Sequence, residues 1–114
     1  MISYESWEPR TADAALLQRC KQAIRAVVPD ADVILYGSRA RGDAKEDSDY
    51  DLLILVDRPV TTPLREQLVA SIFPLELESE AVLTLIPYNR DLWNSKLHRA
   101  MPFHENVDRE GVSL

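Results

Sequence analysis

Two aspartates, Asp49 and Asp51, stand two residues apart in Ser48-Asp-Tyr-Asp-Leu52, at the head of an apolar run that ends at Val56. If that run is a strand, its period of two sends both carboxylates to one face, where they can share a metal-binding region. Oxygen ligands of this kind suit magnesium. A pair of them can hold ions that neutralise a triphosphate, activate an attacking hydroxyl and stabilise a pyrophosphate leaving group. Upstream, Gly37 closes the run Val33 to Tyr36 and lets the backbone turn sharply and approach a ligand closely. Ser38 then sits where a helix would begin, offering unpaired amides and a hydroxyl, a natural phosphate cradle. Arg39 and Arg41 add nearby cations, at least one of which would reach a triphosphate, and Gly42 permits the next turn. Either half alone is common at turns and strand ends. The discriminating feature is the joint order: strand, Gly-Ser turn, two arginines, polar loop, Asp-x-Asp, strand.

The elements that must position these residues follow from periodicity. Leu16, Cys20, Ala23, Ile24 and Val27 recur at helical spacing between a cap at Thr11 and a stop at Pro29, which predicts a first helix over 12–28. Val33 to Tyr36 and Tyr50 to Val56 read as interior strands, with room for only a short helix in Ser38 to Ala44. Thr62-Pro63 starts a second long helix, whose stripe of Leu64, Leu68, Val69 and Ile72 is expected to end before Pro74. Ala81 to Ile86 is a third strand. Asn89 caps a final helix with Trp93, Leu97, Ala100 and Met101 on one face, expected to stop at Pro102, and the tail from Phe103 to Leu114 has no clear pattern. Alternating strands and helices imply an α/β fold. The link between the first two strands is too short for an ordinary parallel crossover, so a small mixed sheet flanked by helices is expected.

Bulk properties narrow the partners. The 114 residues are read as a single domain, 1–114, too short for a catalytic domain plus a full-sized recognition domain. A net charge of -6 argues against broad nonspecific nucleic-acid binding, which draws mostly on basic side chains. The lone Cys20 excludes an internal disulfide and a cysteine-based zinc site. No apolar run approaches a bilayer-spanning length and the first ten residues lack a signal-peptide pattern, so a cytoplasmic protein without a membrane partner is expected.

Gly37-Ser38-Arg39-Ala40-Arg41-Gly42 followed by Ser48-Asp49-Tyr50-Asp51-Leu52 resembles the signature of the DNA polymerase β-like nucleotidyltransferase superfamily, most of all its minimal nucleotidyltransferases. The resemblance implies that Gly37 and Ser38 contact a nucleoside triphosphate, with Ser48 among the nucleotide-binding residues and Arg39 or Arg41 assisting the phosphates. It implies that Asp49 and Asp51 bind the catalytic magnesium, two ions with manganese as an alternative. The reaction implied is transfer of a nucleoside monophosphate, AMP from ATP, to an acceptor hydroxyl. Family members with full activity commonly place a third acid on a later strand, yet Ala81 to Ile86 contains none. Glu76, Glu78 and Glu80 would share a face if extended, which makes Glu80 a candidate substitute. Without that acid the alternative is a weak or inactive nucleotide-binding antitoxin module that acts by complex formation. By the same resemblance, the expected partner is a small helical HEPN-type protein, a toxin that the transferase modifies or restrains. The tail segment Glu105 to Val112 is similar to closing segments of some minimal nucleotidyltransferases, without a role that the sequence supplies.

Overall fold

The computed structural model describes residues 1–8 and 11–114, with the backbone alone at 11 and 12. The cap expected from the Thr11 side chain therefore lies outside the described residues. Five strands, β1 (Ile2–Ser3), β2 (Asp32–Tyr36), β3 (Tyr50–Val56), β4 (Leu83–Asn89) and β5 (Val112–Ser113), form one sheet in the order β1-β5-β2-β3-β4. The sheet is mixed, as expected. β2 and β3 pair antiparallel with Tyr36 opposite Asp51, and β3 and β4 pair parallel with Asp51 opposite Thr84.

Alternation along the strands gives each sheet face its own core. On one face, Val33, Leu35, Leu52 and Ile54 pack beneath α1 (Thr11–Val27) and α3 (Thr62–Ser79). The stripe of α1 that faces inward is Leu17, Cys20 and Ile24, continued by Val28 just beyond the helix; Cys20 and Ile24 belong to the expected stripe, while Leu16, Ala23 and Val27 lie at its margin. On the other face, Ile34, Leu53 and Leu55 meet Trp93 and Val107. Those two residues come from the short α4 (Arg90–Trp93) and from α6 (Pro102–Glu110). The sequence motif lies at the end of this second face, where β2 leaves the sheet and β3 enters it.

Two helices differ from expectation. α3 runs through Pro74 to Ser79 instead of stopping before it. Proline inside a helix costs about 3 kcal/mol through a lost hydrogen bond and a clash, but Pro74 is exposed and the turn beyond it is anchored. Leu75 is buried, and Glu78 accepts two hydrogen bonds from Arg19 of α1. The single last helix is instead broken in two at Asn94-Ser95. Asn89 caps α4 as expected, but the Ser95 hydroxyl caps α5 (Lys96–Arg99), leaving Leu97 and Met101 exposed while Trp93 is buried. Pro102 then starts α6 where a stop was expected, because proline suits a first helical turn.

β4 ends the sheet order, and its backbone has a definite outward side. The Tyr50 N–H donates to the Val82 carbonyl at 2.9 Å. In a parallel ladder this aims the even-numbered residues of β4 at β3 and the odd-numbered ones outward, Pro87 among them. No helix is long and apolar enough among the described residues to cross a membrane.

Candidate active site

Gly37 is the pivot of the site. Its φ of 79° and ψ of -160° are open to glycine and nearly closed to other residues, and they turn the chain from β2 directly into α2 (Ser38–Arg41). A Cβ at this position would lie 2.6 Å from Asp51 Oδ2, so the turn packs flat against the Asp51 carboxylate. The first amides of so short a helix have no partner within it, and Ser38 supplies the first of them together with its hydroxyl. Gly42, at φ 85°, closes α2 by donating its N–H to the Ser38 carbonyl.

Asp49 precedes β3 and is exposed, whereas Asp51 lies within the strand and is half-buried. Burial, followed by the negative charge of Asp49, raises the Asp51 pKa, while Arg41 opposes the shift. The two acids therefore feel one another, and Arg41 feels Asp51. A pair of repelling carboxylates beside a turn too tight for a side chain is a donor set that fits a divalent cation. Among the described residues no group of three or more His, Cys, Asp and Glu side chains gathers as a metal cluster. The Tyr36 phenol, opposite Asp51 on β2, is pushed up to about 12 by burial and by the Asp51 charge, so it stays protonated beside the acids.

The two arginines separate. Arg41 stays with the turn: its Nη1 donates to Glu110 Oε2 at 3.0 Å and its Nε to Asp43 Oδ2 at 3.2 Å. Arg39 reaches the opposite side of β3, with its guanidinium carbon 4.4 Å from the Tyr50 ring centroid and Nη1 4.0 Å from Asp13 Oδ1. There it donates to the Ser48 carbonyl at 2.9 and 3.2 Å and to the Glu46 carbonyl at 3.0 Å. The Ser48 hydroxyl is also engaged locally, accepting from the Lys45 N–H at 2.9 Å. Arg39 and Ser48 thus brace the loop that delivers Asp49.

Glu80 does not join the acids. Glu76 and Glu78 belong to α3, not to an extended segment, and Glu80 caps that helix at φ 59°. Glu76 accepts from the Leu83 N–H at 3.1 Å, and Glu80 lines a cleft of about 620 Å³ with Arg39, Lys45, Ser48, Tyr50 and Val82, apart from Asp51. The residue opposite Asp51 on β4 is Thr84.

An unforeseen acid does reach the turn. Glu110, at the end of α6, accepts a hydrogen bond from the Gly37 N–H at 3.2 Å while its other oxygen holds Arg41. Its only sequence signal was the similarity of the segment to family closing segments, since nothing local reveals a contact made 73 residues away.

A family model described as a nucleotidyltransferase domain matches residues 17–105, which contain the turn and both aspartates. The chain belongs to the nucleotidyltransferase family. Its relatives are of the minimal type. A putative protein adenylyltransferase of Methanocaldococcus jannaschii is 29% identical over 101 residues, 87% of this chain and 95% of that protein. A second putative protein adenylyltransferase of the same organism is 35% identical, over 72% of this chain and 75% of that one. The probable protein adenylyltransferase MntA of Haemophilus influenzae is 32% identical over 60% of this nucleotidyltransferase and 57% of its own length. Among solved structures, a toxin-antitoxin crystal structure with AMP-PNP shares the fold at a TM-score of 0.61 and 18% identity, covering 84% of this chain and 69% of that one.

Proposed function

We propose that this nucleotidyltransferase moves AMP from ATP to a hydroxyl of an acceptor protein, with Asp49 and Asp51 as its catalytic, magnesium-binding residues. The observation that carries this reading is the packing of the Gly37 turn against Asp51, with Asp49 close enough to perturb it. Phosphate-binding and cation-binding groups then share one edge of the sheet. The Ser38 hydroxyl and the first amides of α2 receive the phosphates, and Gly37 allows their close approach. Arg41 assists the phosphates. Arg39 and Ser48 act on the nucleotide indirectly, by holding the loop that carries Asp49. Magnesium, with two ions as the expected number and manganese as a substitute, would neutralise the triphosphate and polarise its phosphorus centre when bound. In the reaction the acceptor hydroxyl gives up its proton to a base or to water, its oxygen bonds to the α-phosphorus, the bond from that phosphorus to the bridging oxygen breaks, and pyrophosphate leaves.

The acceptor class comes from the relatives, which are named protein adenylyltransferases, and from the toxin-antitoxin neighbour. A helical HEPN-type toxin made alongside this protein is the partner of choice. Thr84 supports a second reading, since a hydroxyl opposite Asp51 cannot serve as the base that a carboxylate provides. On that reading the protein binds nucleotide and restrains its partner by contact.

Incubation with the genetically neighbouring protein, magnesium and α-labelled ATP separates the two. Covalent label on the partner, lost in Asp49→Ala and in Asp51→Ala, is the result expected for transfer. A stable complex without label, unaffected by either change, would establish the second reading instead.

A further inference from the structure

Arg41, assigned to the phosphates, and the N–H of the Gly37 turn already hold an anion of the protein's own. One oxygen of Glu110 takes the Gly37 N–H at 3.2 Å and the other takes Arg41 Nη1 at 3.0 Å. A backbone amide beside a guanidinium is the donor set that a phosphate oxygen requires. The contact is built in: the Glu110 side chain is only 13% exposed, against 45% for Arg41. Asp43 engages the same guanidinium from its other edge.

We propose that Glu110 is an internal stand-in for a nucleotide phosphate, and that a polyphosphate enters the turn by displacing its carboxylate from Gly37 and Arg41. This deepens the nucleotidyltransferase reading and rests on its assignment of Gly37 and Arg41 to the phosphates. The exchange is a swing of one side chain, because the backbone next to it is pinned. A Cβ on Gly111 would lie 2.5 Å from the Val107 carbonyl oxygen and 3.1 Å from Ile34 Cγ2, and the Gly111 carbonyl accepts from the Ile2 N–H at 3.0 Å. The end of α6 cannot slide away. Displacement sets a threshold: an anion must outcompete a tethered carboxylate, which favours a polyphosphate with many oxygens over a single phosphate or a carboxylate metabolite. Glu110 thereby acts on specificity as a positioning residue, without touching the reacting atoms.

The test uses calorimetry with two probes, inorganic tripolyphosphate without metal and ATP with magnesium, on wild-type protein and Glu110→Gln. The glutamine keeps the size and an oxygen for the Gly37 N–H but gives up the charge that holds Arg41. Both probes should bind roughly three- to tenfold more tightly to the variant, the scale of one partly exposed ion pair. In wild-type protein, amide NMR should show the Gly37 resonance moving as tripolyphosphate is added. Unchanged or weaker tripolyphosphate binding by the variant would overturn the proposal, as would a Gly37 resonance that stays fixed at saturation. If tripolyphosphate responds as expected while ATP with magnesium binds neither protein, the displaced anion stands and the nucleotidyl-transfer reading falls. Should the variant fail to fold, the wild-type Gly37 titration decides alone.

Discussion

Gly37 and Gly42 both have positive φ, yet replacing them with alanine should produce different defects. At Gly42 a Cβ would meet nothing within 4 Å, so Gly42→Ala carries only the left-handed backbone penalty, about 1 kcal/mol. At Gly37 the conformation is more restrictive, and the new methyl would stand 2.6 Å from Asp51 Oδ2, where ordinary contact begins at 3.4 Å. Either the turn or the carboxylate must yield. Backbone strain of this kind costs about 1 to 3 kcal/mol, and displacement of Asp51 adds to it, so a loss of about 3 kcal/mol is expected. At about 4 °C per kcal/mol for a domain near this size, Tm should fall by about 4 °C in Gly42→Ala and by about 12 °C in Gly37→Ala. Circular dichroism melts measure this directly. Calorimetry below both transitions should then show magnesium-ATP affinity close to wild type in Gly42→Ala and reduced at least about tenfold in Gly37→Ala, since a misplaced Asp51 forfeits about 1.4 kcal/mol or more. Equal losses of stability and affinity in the two variants would refute the claim that contact with Asp51, and not glycine flexibility in general, defines the site.

Asp51 has a raised pKa, so the folded state binds its proton more tightly than the unfolded chain and stability falls as pH rises through the raised value. Asp51→Asn should therefore raise Tm at pH 7 without nucleotide, and the advantage should vanish as pH falls below the ordinary aspartate range. Arg39→Lys loses the paired bonds to the Ser48 and Glu46 carbonyls and weakens the stack on Tyr50. It should cost about 1 to 2 kcal/mol in denaturant unfolding and several-fold in nucleotide affinity. Thr84→Asp puts a carboxylate opposite Asp51. It should destabilise the metal-free protein by about 1 kcal/mol through like-charge repulsion, read as a lower Tm, and raise label transfer at least about tenfold with magnesium. His104 is buried and stacked on Trp93, with neither ring nitrogen hydrogen-bonded although Asp108 lies 3.1 Å away. His104→Phe should thus raise stability by about 1 kcal/mol in thermal melts.

The turn and the strand that carry the motif were legible because their residues lie close in sequence and each obeys a local rule. Gly37 marks a turn that only glycine makes easily, and Asp49 and Asp51 mark the start of a buried strand. The interior strands were legible for the same reason, as Tyr50–Val56 shows by matching its expected bounds. What could not be read was set by distant partners. Pro74 is a local stop signal overruled by Leu75 and by the Arg19-Glu78 pair, and that overruling puts Glu76 and Glu78 in a helix, where an extended segment would have lined them up with Glu80. Arg39 and Arg41 are equivalent in the motif but diverge because Tyr50 captures one and Glu110 the other. Glu110 itself depends on a tail whose helix is fixed by Val107 packing on the sheet. Trp93, Leu97, Ala100 and Met101 have helical spacing, yet Ser95 caps a new helix among them, and capping chemistry won over periodicity.

Pro87 limits how this protein can meet another. A foreign strand laid along the outer side of β4 would look for a backbone donor at that position and find a ring, in the middle of the seven residues it needs. Sheet extension across subunits is thus discouraged at this border. A companion protein meeting this border would have to gain its hold from side-chain surfaces, which can be redesigned residue by residue without disturbing the ladder beneath them.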